Sequence, residues 1–460
     1  MNTPIADFVE NYTKQNMSRM HMPGHKGKGF LGCEMYDITE VAGADSLYEA
    51  DGIIAESEAN ATKIFGTGRT VYSTEGSSQC IRAMLYLAVM NWKMRNRKRE
   101  IHYEADERPL VVAARNVHKA FVYAAALLDF DVYWLFPEGD MNSLCSCQIS
   151  REMVEETLKS LKEKGIIPAA VYITSPDYLG QRQDIKGIAE VCHKYETLLT
   201  VDNAHGAYLH FIKEGMHPID LGADICSDSA HKTLPVLTGG AYLQISKNVS
   251  EKIRMSAKSA MALFGSTSPS YLTMISLDKC NKYLAGDYCE KLDETVESIK
   301  KLKEELKKLG WNVTLGEPLK MTVHMPVDMD GSEYAEHLRK FQVECEYADP
   351  DFIVFMFTTE NTAEDLRRIG KAFGKNVLPY DMNYRLKPAR CEQIVSVREA
   401  VFACHEEIPV QESLGRICAS PAVSCPPAIP IVVSGEEISE NSIKLFEYYG
   451  ISNVDVVLEM

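Results

Sequence analysis

A chain of 460 residues is too long for one simple core, so two or three domains are expected. Apolar content of 45% and charged content of 25% are those of a soluble globular protein, and a formal net charge of −16 argues against nucleic acid or an anionic membrane as the main partner. Thirteen scattered cysteines, with no apolar leader in MNTPIADFVENYTKQ, point to reduced thiols in a cytoplasmic protein rather than a disulfide framework.

Cys145-Ser146-Cys147 is the one close cysteine pair, and no second pair stands at zinc-site spacing, so no metal is expected. The most apolar long window, Ala120 to Phe136, is interrupted by Asp129 and Asp131 and cannot span a bilayer without burying charge.

The N-terminal segment, residues 1–60, looks irregular until a helical run starts at Ile53 and reaches Phe65. It carries Met20-His21-Met22-Pro23-Gly24-His25-Lys26, a turn flanked by two histidines, which is either a surface loop or part of a site. Thr70 to Thr74 reads as a strand, Glu75-Gly76-Ser77-Ser78-Gln79 as a turn, and Ile81, Met84, Leu85, Ala88 and Val89 recur at helical spacing. Strand, Gly-Ser-Ser, helix can cradle a phosphate on backbone N–H groups, the helix dipole and the hydroxyls of Ser77 and Ser78. The bland alternative is a serine N-cap.

Leu110 to Ala114 is a buried-type strand that ends in Arg115-Asn116-Val117-His118-Lys119, which puts His118 at a strand's carboxyl end, where open α/β sheets bind ligands. A helix through Leu128 and a strand from Val132 to Leu135 follow. Met153 to Lys164 is an amphipathic helix, Ala169 to Thr174 a strand leading to Ser175-Pro176-Asp177-Tyr178, and Ile185 to Tyr195 a helix. The next strand ends at Asp202, and Ala223 to Ser227 and Gly240 to Ile245 are strands on either side of Lys232.

Strand and helix alternate from Thr70 onward, which predicts a mostly parallel sheet with helices on both faces. From Gly286 a long charged helix, striped by Leu292, Val296, Ile299, Leu302, Leu306 and Leu309, opens a smaller α/β region. From about Pro379 the chain reads as loop-rich. The expected domains are an N-terminal segment (1–60), a large cofactor domain (61–285), a small α/β domain (286–390) and a C-terminal loop-rich subdomain (391–460).

Asp202 closes the run Thr197-Leu198-Leu199-Thr200-Val201, and Lys232 stands in Ser229-Ala230-His231-Lys232-Thr233-Leu234-Pro235. An aspartate at one strand end and a lysine after the next can meet across one small molecule. The pair suits pyridoxal phosphate (PLP): the lysine forms a Schiff base, and the aspartate keeps the pyridine nitrogen protonated so that the ring takes up electrons. Taken singly, the lysine reads as a solvated surface residue and the aspartate as a helix cap.

Several segments occur in a fixed order. They are His21-Met22-Pro23-Gly24-His25-Lys26, Asp37-Ile38-Thr39-Glu40, Arg115-Asn116-Val117-His118-Lys119, Thr174-Ser175-Pro176 and Asp202-Asn203-Ala204-His205-Gly206. The Lys232 motif follows, then Ser266-Thr267-Ser268-Pro269-Ser270-Tyr271, Gly415-Arg416-Ile417 and Pro426-Pro427-Ala428-Ile429-Pro430. With them, from about residue 20 to 440, the chain resembles the short-form Orn/Lys/Arg decarboxylase family.

That resemblance implies PLP fold type I, an α/β fold with a large, mostly parallel seven-stranded sheet domain and a smaller α/β C-terminal domain. It implies decarboxylation of arginine, lysine or ornithine to a polyamine-related amine. Lys232 would carry PLP, Asp202 would pair with its pyridine nitrogen and His205 would lie near its phenolic oxygen. Gly76, Ser77, Ser78, Ser229 and His231 would hold the phosphate, and His118 would stack on the ring and help manage protons. Ser266 and Thr267 would reach the phosphate of a neighbouring subunit, making a homodimer with shared active sites.

The chain departs from the family pattern at Asn203, Asp177, Ala428 and Ser434, which touches the substrate end and not the cofactor end. Glu436 and His25 are the candidate substrate residues, Glu436 as carboxylate partner of the substrate's distal cation. Another PLP reaction (aminotransferase or lyase) and a non-catalytic regulatory role stay open.

Overall fold

A computed structural model describes residues 1–98, 108–137, 143–376, 378–380, 390–424 and 428–458, so Pro426 and Pro427 of the Pro-Pro-Ala-Ile-Pro segment lie outside the described residues. Seven strands form the main sheet: β1 (Arg69–Ser73), β2 (Leu110–Ala114), β3 (Asp131–Leu135), β4 (Ala170–Thr174), β5 (Leu198–Asp202), β6 (Ile225–Asp228) and β7 (Ala241–Ile245). Their order is β1-β7-β6-β5-β4-β2-β3. The β5–β6, β2–β3 and β2–β4 pairs are parallel, and β7 runs antiparallel to β1 and β6. The mostly parallel α/β sheet expected from the sequence is thus present. β2 (LVVAA) and β4 (AVYIT) read as mostly apolar runs and are buried along most of their length, whereas the edge strand β3 is exposed at alternate positions.

By contact the chain divides into two compact units, residues 1–87 with 200–294 and residues 88–199 with 295–460. The first contains β1, β5, β6 and β7, helices α1 (Pro4–Lys14) and α2 (Ile53–Ile64), the start of the 22-residue helix α3 (Ser77–Lys98), and the helix Tyr271–Leu284. Helix α1 corrects the expectation of an irregular N-terminal segment. It buries Pro4, Ile5, Ala6 and Val9, but Thr3 before it makes no side-chain cap. The cap comes from Asp278, whose Oδ2 accepts the N–H groups of Ile5 and Ala6, each at 3.0 Å.

The second unit contains β2, β3 and β4 with helices α4 (Lys119–Leu128), Arg151–Glu163 and Ile185–Lys194. It also holds an antiparallel four-stranded sheet in the order Tyr347–Ala348, Phe352–Met356, Lys320–His324, Asn312–Val313. Beyond Pro379 the chain is more regular than expected. His405–Pro409 pairs with Asn453–Val457 and Ala422–Ser424 with Ile429–Val432, and the helix Glu440–Tyr448 packs its Leu445 and Phe446 into a core with Tyr347, Phe352, Ile431 and Val456. These strands have 3 to 5 residues, too few to display a period. Among the described residues no helix is long and apolar enough to cross a membrane.

Candidate active site

Three chain turns of the first unit build the site. The first joins β1 to α3. Gly76 has φ +73° and open space where a Cβ would stand, and its N–H donates to the Gly239 carbonyl at 2.7 Å. Gly239 has φ +92°, and a Cβ there would come within 2.6 Å of the Thr74 carbonyl oxygen, so only glycine lets these two loops touch. Behind the turn, Ser73 Oγ donates to Gln79 Oε1 at 2.6 Å, and Gln79 Nε2 donates to the Tyr48 hydroxyl at 2.8 Å. Burial pushes the Tyr48 hydroxyl up, with the Gln79 bond opposing. Ser77 and Ser78 open a 22-residue helix, whose positive end favours an anion.

The second turn follows β5. Asp202 is its last residue, 3% exposed, and Oδ1 accepts the Ala204 N–H at 3.2 Å. His205, also buried, brings Nε2 to 3.0 Å from Lys232 Nζ. The third turn follows β6, where Ser229 leads into the short helix Ala230–Thr233 that carries His231 and Lys232. His231 is tied to the same glycine loop as Gly76, with its N–H 3.1 Å and its Nδ1 3.0 Å from the Gly240 carbonyl. The Oγ of Ser229 is buried and has no hydrogen-bond partner. A buried hydroxyl in that state has a hydrogen bond to offer to a water or to a ligand oxygen.

The structure therefore gathers Gly76, Ser77, Ser78, Asp202, His205, Ser229, His231 and Lys232 in one unit. Ser266 joins them through its N–H, which donates to the Glu75 carboxylate of the same chain, and both Ser266 and Thr267 are exposed. His118 belongs to the second unit, where it caps α4: Nδ1 accepts the Ala120 N–H at 3.1 Å, so in the neutral ring the proton sits on Nε2. His25 is half-buried in a local clasp, 3.2 Å from Asp37 Oδ2, and its Nδ1 accepts the Gly27 N–H at 3.0 Å.

Glu436 is where sequence and structure part. Read as the partner of a substrate's distal cation, it is instead 1% exposed and pairs with Arg115 Nη2 at 3.2 Å, while its Oε2 also accepts the Val433 N–H at 2.7 Å. Burial pushes its carboxyl up and Arg115 pulls it back. The carboxylate proposed from sequence for the substrate is thus engaged within the chain by Arg115 and the Val433 N–H. Arg115 was the missed partner. It also donates to the Pro430 and Ile431 carbonyls at 3.0 and 3.1 Å, and nothing in the sequence near Arg115 announces a contact 321 positions away.

The other departures are also structural. Asp177 is fully buried, accepts the Leu179 and Gln181 N–H groups at 3.0 and 2.8 Å, and is pushed up to about 6 by burial. Ala428 holds φ +60°, and the Oγ of Ser434 is buried without a partner.

Fold and site first define a class: an α/β protein in which a Gly-Ser-Ser turn, a buried acid and a lysine follow the ends of β1, β5 and β6. The family follows from comparison. The model of the "Orn/Lys/Arg decarboxylase, major domain" matches residues 3–364, and that of the "Orn/Lys/Arg decarboxylase, C-terminal domain" matches residues 375–453. The chain belongs to the Orn/Lys/Arg decarboxylase family.

It is 27% identical to an arginine decarboxylase of Bacillus subtilis, over 99% of this chain and 94% of that one. It is 25% identical to an arginine decarboxylase of Halalkalibacterium halodurans, over 96% and 92%. Among solved structures it is similar in fold to the lysine decarboxylase LdcF of Francisella novicida, with TM-score 0.78, 16% identity, and coverage of 99% of this chain and 81% of that one. The constitutive lysine decarboxylase of E. coli gives TM-score 0.76 at 17% identity, over 99% and 82%.

Proposed function

We propose that this protein is a PLP-dependent decarboxylase of a basic amino acid, with arginine the first substrate to try because the named relatives that span nearly the whole chain are arginine decarboxylases. The observation that carries the reading is Lys232 Nζ held 3.0 Å from His205 Nε2, on the turn next to the strand end that bears Asp202. The residues fit the cofactor. Ser229 offers an unused buried hydroxyl, Gly76 leaves open space at the cradle, and a 22-residue helix starts at Ser77.

In this reading Gly76, Ser77, Ser78, Ser229 and His231 hold the phosphate, Asp202 keeps a proton on the pyridine nitrogen, and Lys232 is the covalent anchor. When bound, PLP supplies an electron sink for the bond that breaks as CO₂ leaves. Asp202, buried at the end of β5, would be the acidic partner of that ring nitrogen. His205 orients the Lys232 amine, and Lys232 Nζ is the atom that returns a proton to the substrate carbon. His118, with its proton on Nε2, is assigned by the family resemblance to the exposed ring face.

The dimer with shared sites, to which Ser266 and Thr267 would contribute, is part of the same proposal. The exposed side chains of Met20, Met22, Phe30 and Leu31 support self-association. A cytoplasmic location is proposed with it.

The test is a product assay of purified, PLP-supplied protein with arginine, lysine and ornithine. Amine and CO₂ in equal amounts support the reading. Keto acid without CO₂ would replace it with an aminotransferase, and a protein that stays colourless with PLP would point to a non-catalytic family member.

A further inference from the structure

Asp228 ends β6, one position before Ser229, and its side chain is fully buried. Its oxygens take donors from three places: Asn203 Nδ2 at 2.7 Å on Oδ1, and His217 Nε2 at 3.0 Å and Gln244 Nε2 at 3.1 Å on Oδ2. The Ile219 N–H donates to His217 Nδ1 at 3.3 Å, which leaves the ring proton on Nε2, aimed at Asp228. His217, Cys226 and Asp228 present their ligand atoms within 4.8 Å of one another, but that proton occupies the lone pair a metal would need. The cluster is a buried carboxylate held by Asn203, His217 and Gln244, with the Cys226 thiol as a fourth donor at 3.6 Å on Oδ1.

Asn203 is the other half of the device. It follows Asp202 and stands two residues before His205, so whatever holds Asn203 holds both cofactor-facing side chains. Its N–H donates to the Ser227 carbonyl at 2.9 Å, and its own carbonyl accepts the Gly206 N–H at 2.8 Å. Its side-chain Oδ1 has no hydrogen-bond partner and lies over Gly206, where a Cβ would come within 2.1 Å. Asp228 is therefore the partner that orients the carboxamide. One 2.7 Å hydrogen bond ties the turn bearing Asp202 and His205 to the residue that leads into Ser229 and Lys232.

We infer that Asp228 is a positioning residue for the reaction. Acting through Asn203, it sets the spacing between the Asp202–His205 turn and the Ser229–Lys232 turn. The inference rests on the PLP reading above. A buried carboxylate is costly unless its lone pairs are used, and here a charge-assisted bond across two strand ends uses one of them.

The test exchanges donor and acceptor across that bond. Asn203→Asp sets two carboxylates face to face. The double variant N203D/D228N restores one donor and one acceptor at the same place, and its new amide oxygen can still accept from His217 and Gln244. Cofactor affinity of the stripped protein, the visible band of the loaded protein, arginine turnover and thermal unfolding are measured for each. Asn203→Asp is expected to weaken PLP binding about tenfold and shift the band, as befits one lost charge-assisted hydrogen bond. The double variant is expected to recover both. Asn203→Ala, which adds no second charge, serves if Asn203→Asp does not fold, and is expected to weaken PLP binding in the same direction.

Wild-type affinity and spectrum in Asn203→Asp, or in Asn203→Ala where that variant stands in, would overturn the inference. So would a double variant that unfolds at the wild-type temperature yet binds PLP as poorly as Asn203→Asp. A wild type that takes up no PLP would sink the cofactor reading itself, which is read first and separately.

Discussion

Lys232 Nζ lies 3.0 Å from His205 Nε2, and both sit on turns that leave neighbouring strand ends. The contact gives the amine an imidazole partner on the turn that follows the buried acid Asp202. Lys232→Ala should therefore leave the fold intact while removing the visible absorbance of the PLP-loaded protein. Turnover should fall by at least about a thousandfold, the scale of losing a covalent catalytic group. A Lys232→Ala protein that kept the absorbance band would refute the assignment.

His205→Ala tests the orienting role separately. The amine stays, so PLP still adds, but it loses the His205 contact that orients it. Turnover should drop by about tenfold to a hundredfold with substrate KM little changed, the signature of a group that acts on the bound state. Steady-state kinetics alongside the absorbance band decide it.

What could be read from sequence follows from where each contact is made. Val111, Val112 and Ala113 are fully buried within one strand, so five apolar residues in a row announce β2. Asp202 and Lys232 stand out because each interrupts or follows such a run. Helix α1 did not stand out, since its cap is Asp278, far along the chain, and not its own Thr3. The partner of Asn203 was equally hidden. The parallel register of β5 with β6, in which Asp202 faces Ser227, brings Asn203 to Asp228, and register is a property of the sheet.

Asp278 gives a prediction in pH. Burial pushes its carboxyl up to about 6, while the Ala6 and Ile5 N–H groups and Ser57 pull the other way. With the folded value above the unfolded one, the folded protein holds the extra proton, so stability is highest below about pH 4 for this group and is lost as pH rises through 6. Asp278→Asn keeps an oxygen for both helix N–H groups and carries no charge. It should flatten that part of the stability curve, a change on the order of 2 kcal/mol between pH 4 and 7. Asp278→Ala should flatten the curve in the same way and lie about 2 kcal/mol below Asp278→Asn at every pH, because two helix N–H groups lose their acceptor. Urea unfolding at several pH values, with limited proteolysis of α1, separates the two variants.

Ala428 holds φ +60°, a conformation that costs an L-residue with a Cβ about 1–2 kcal/mol and costs glycine almost nothing. Its carbonyl accepts the Lys119 N–H at 2.9 Å, at the start of α4, so the turn cannot relax without losing that bond. Ala428→Gly should raise stability, by about 0.5–1 kcal/mol once the greater freedom of glycine in the unfolded chain is subtracted. A lower unfolding midpoint in Ala428→Gly would show that the strain is absent.

Glu436 and Arg115 supply the last prediction. Their side chains are 2% and 4% exposed, and the guanidinium also holds the Pro430 and Ile431 carbonyls. Removing one partner of such a pair strands the other charge in a dry place. Glu436→Ala should therefore cost about 3–5 kcal/mol of stability. Glu436→Gln, which keeps an oxygen for the Val433 N–H and for Arg115 but drops the charge, should cost less. If the carboxylate met the substrate's cation, Glu436→Gln would raise KM for arginine steeply while stability barely moved. The ion pair with Arg115 leads us to expect the reverse: a lower unfolding midpoint in both variants, and a KM for the folded Gln variant within about twofold of wild type, since a carboxylate spent on Arg115 adds nothing to substrate binding.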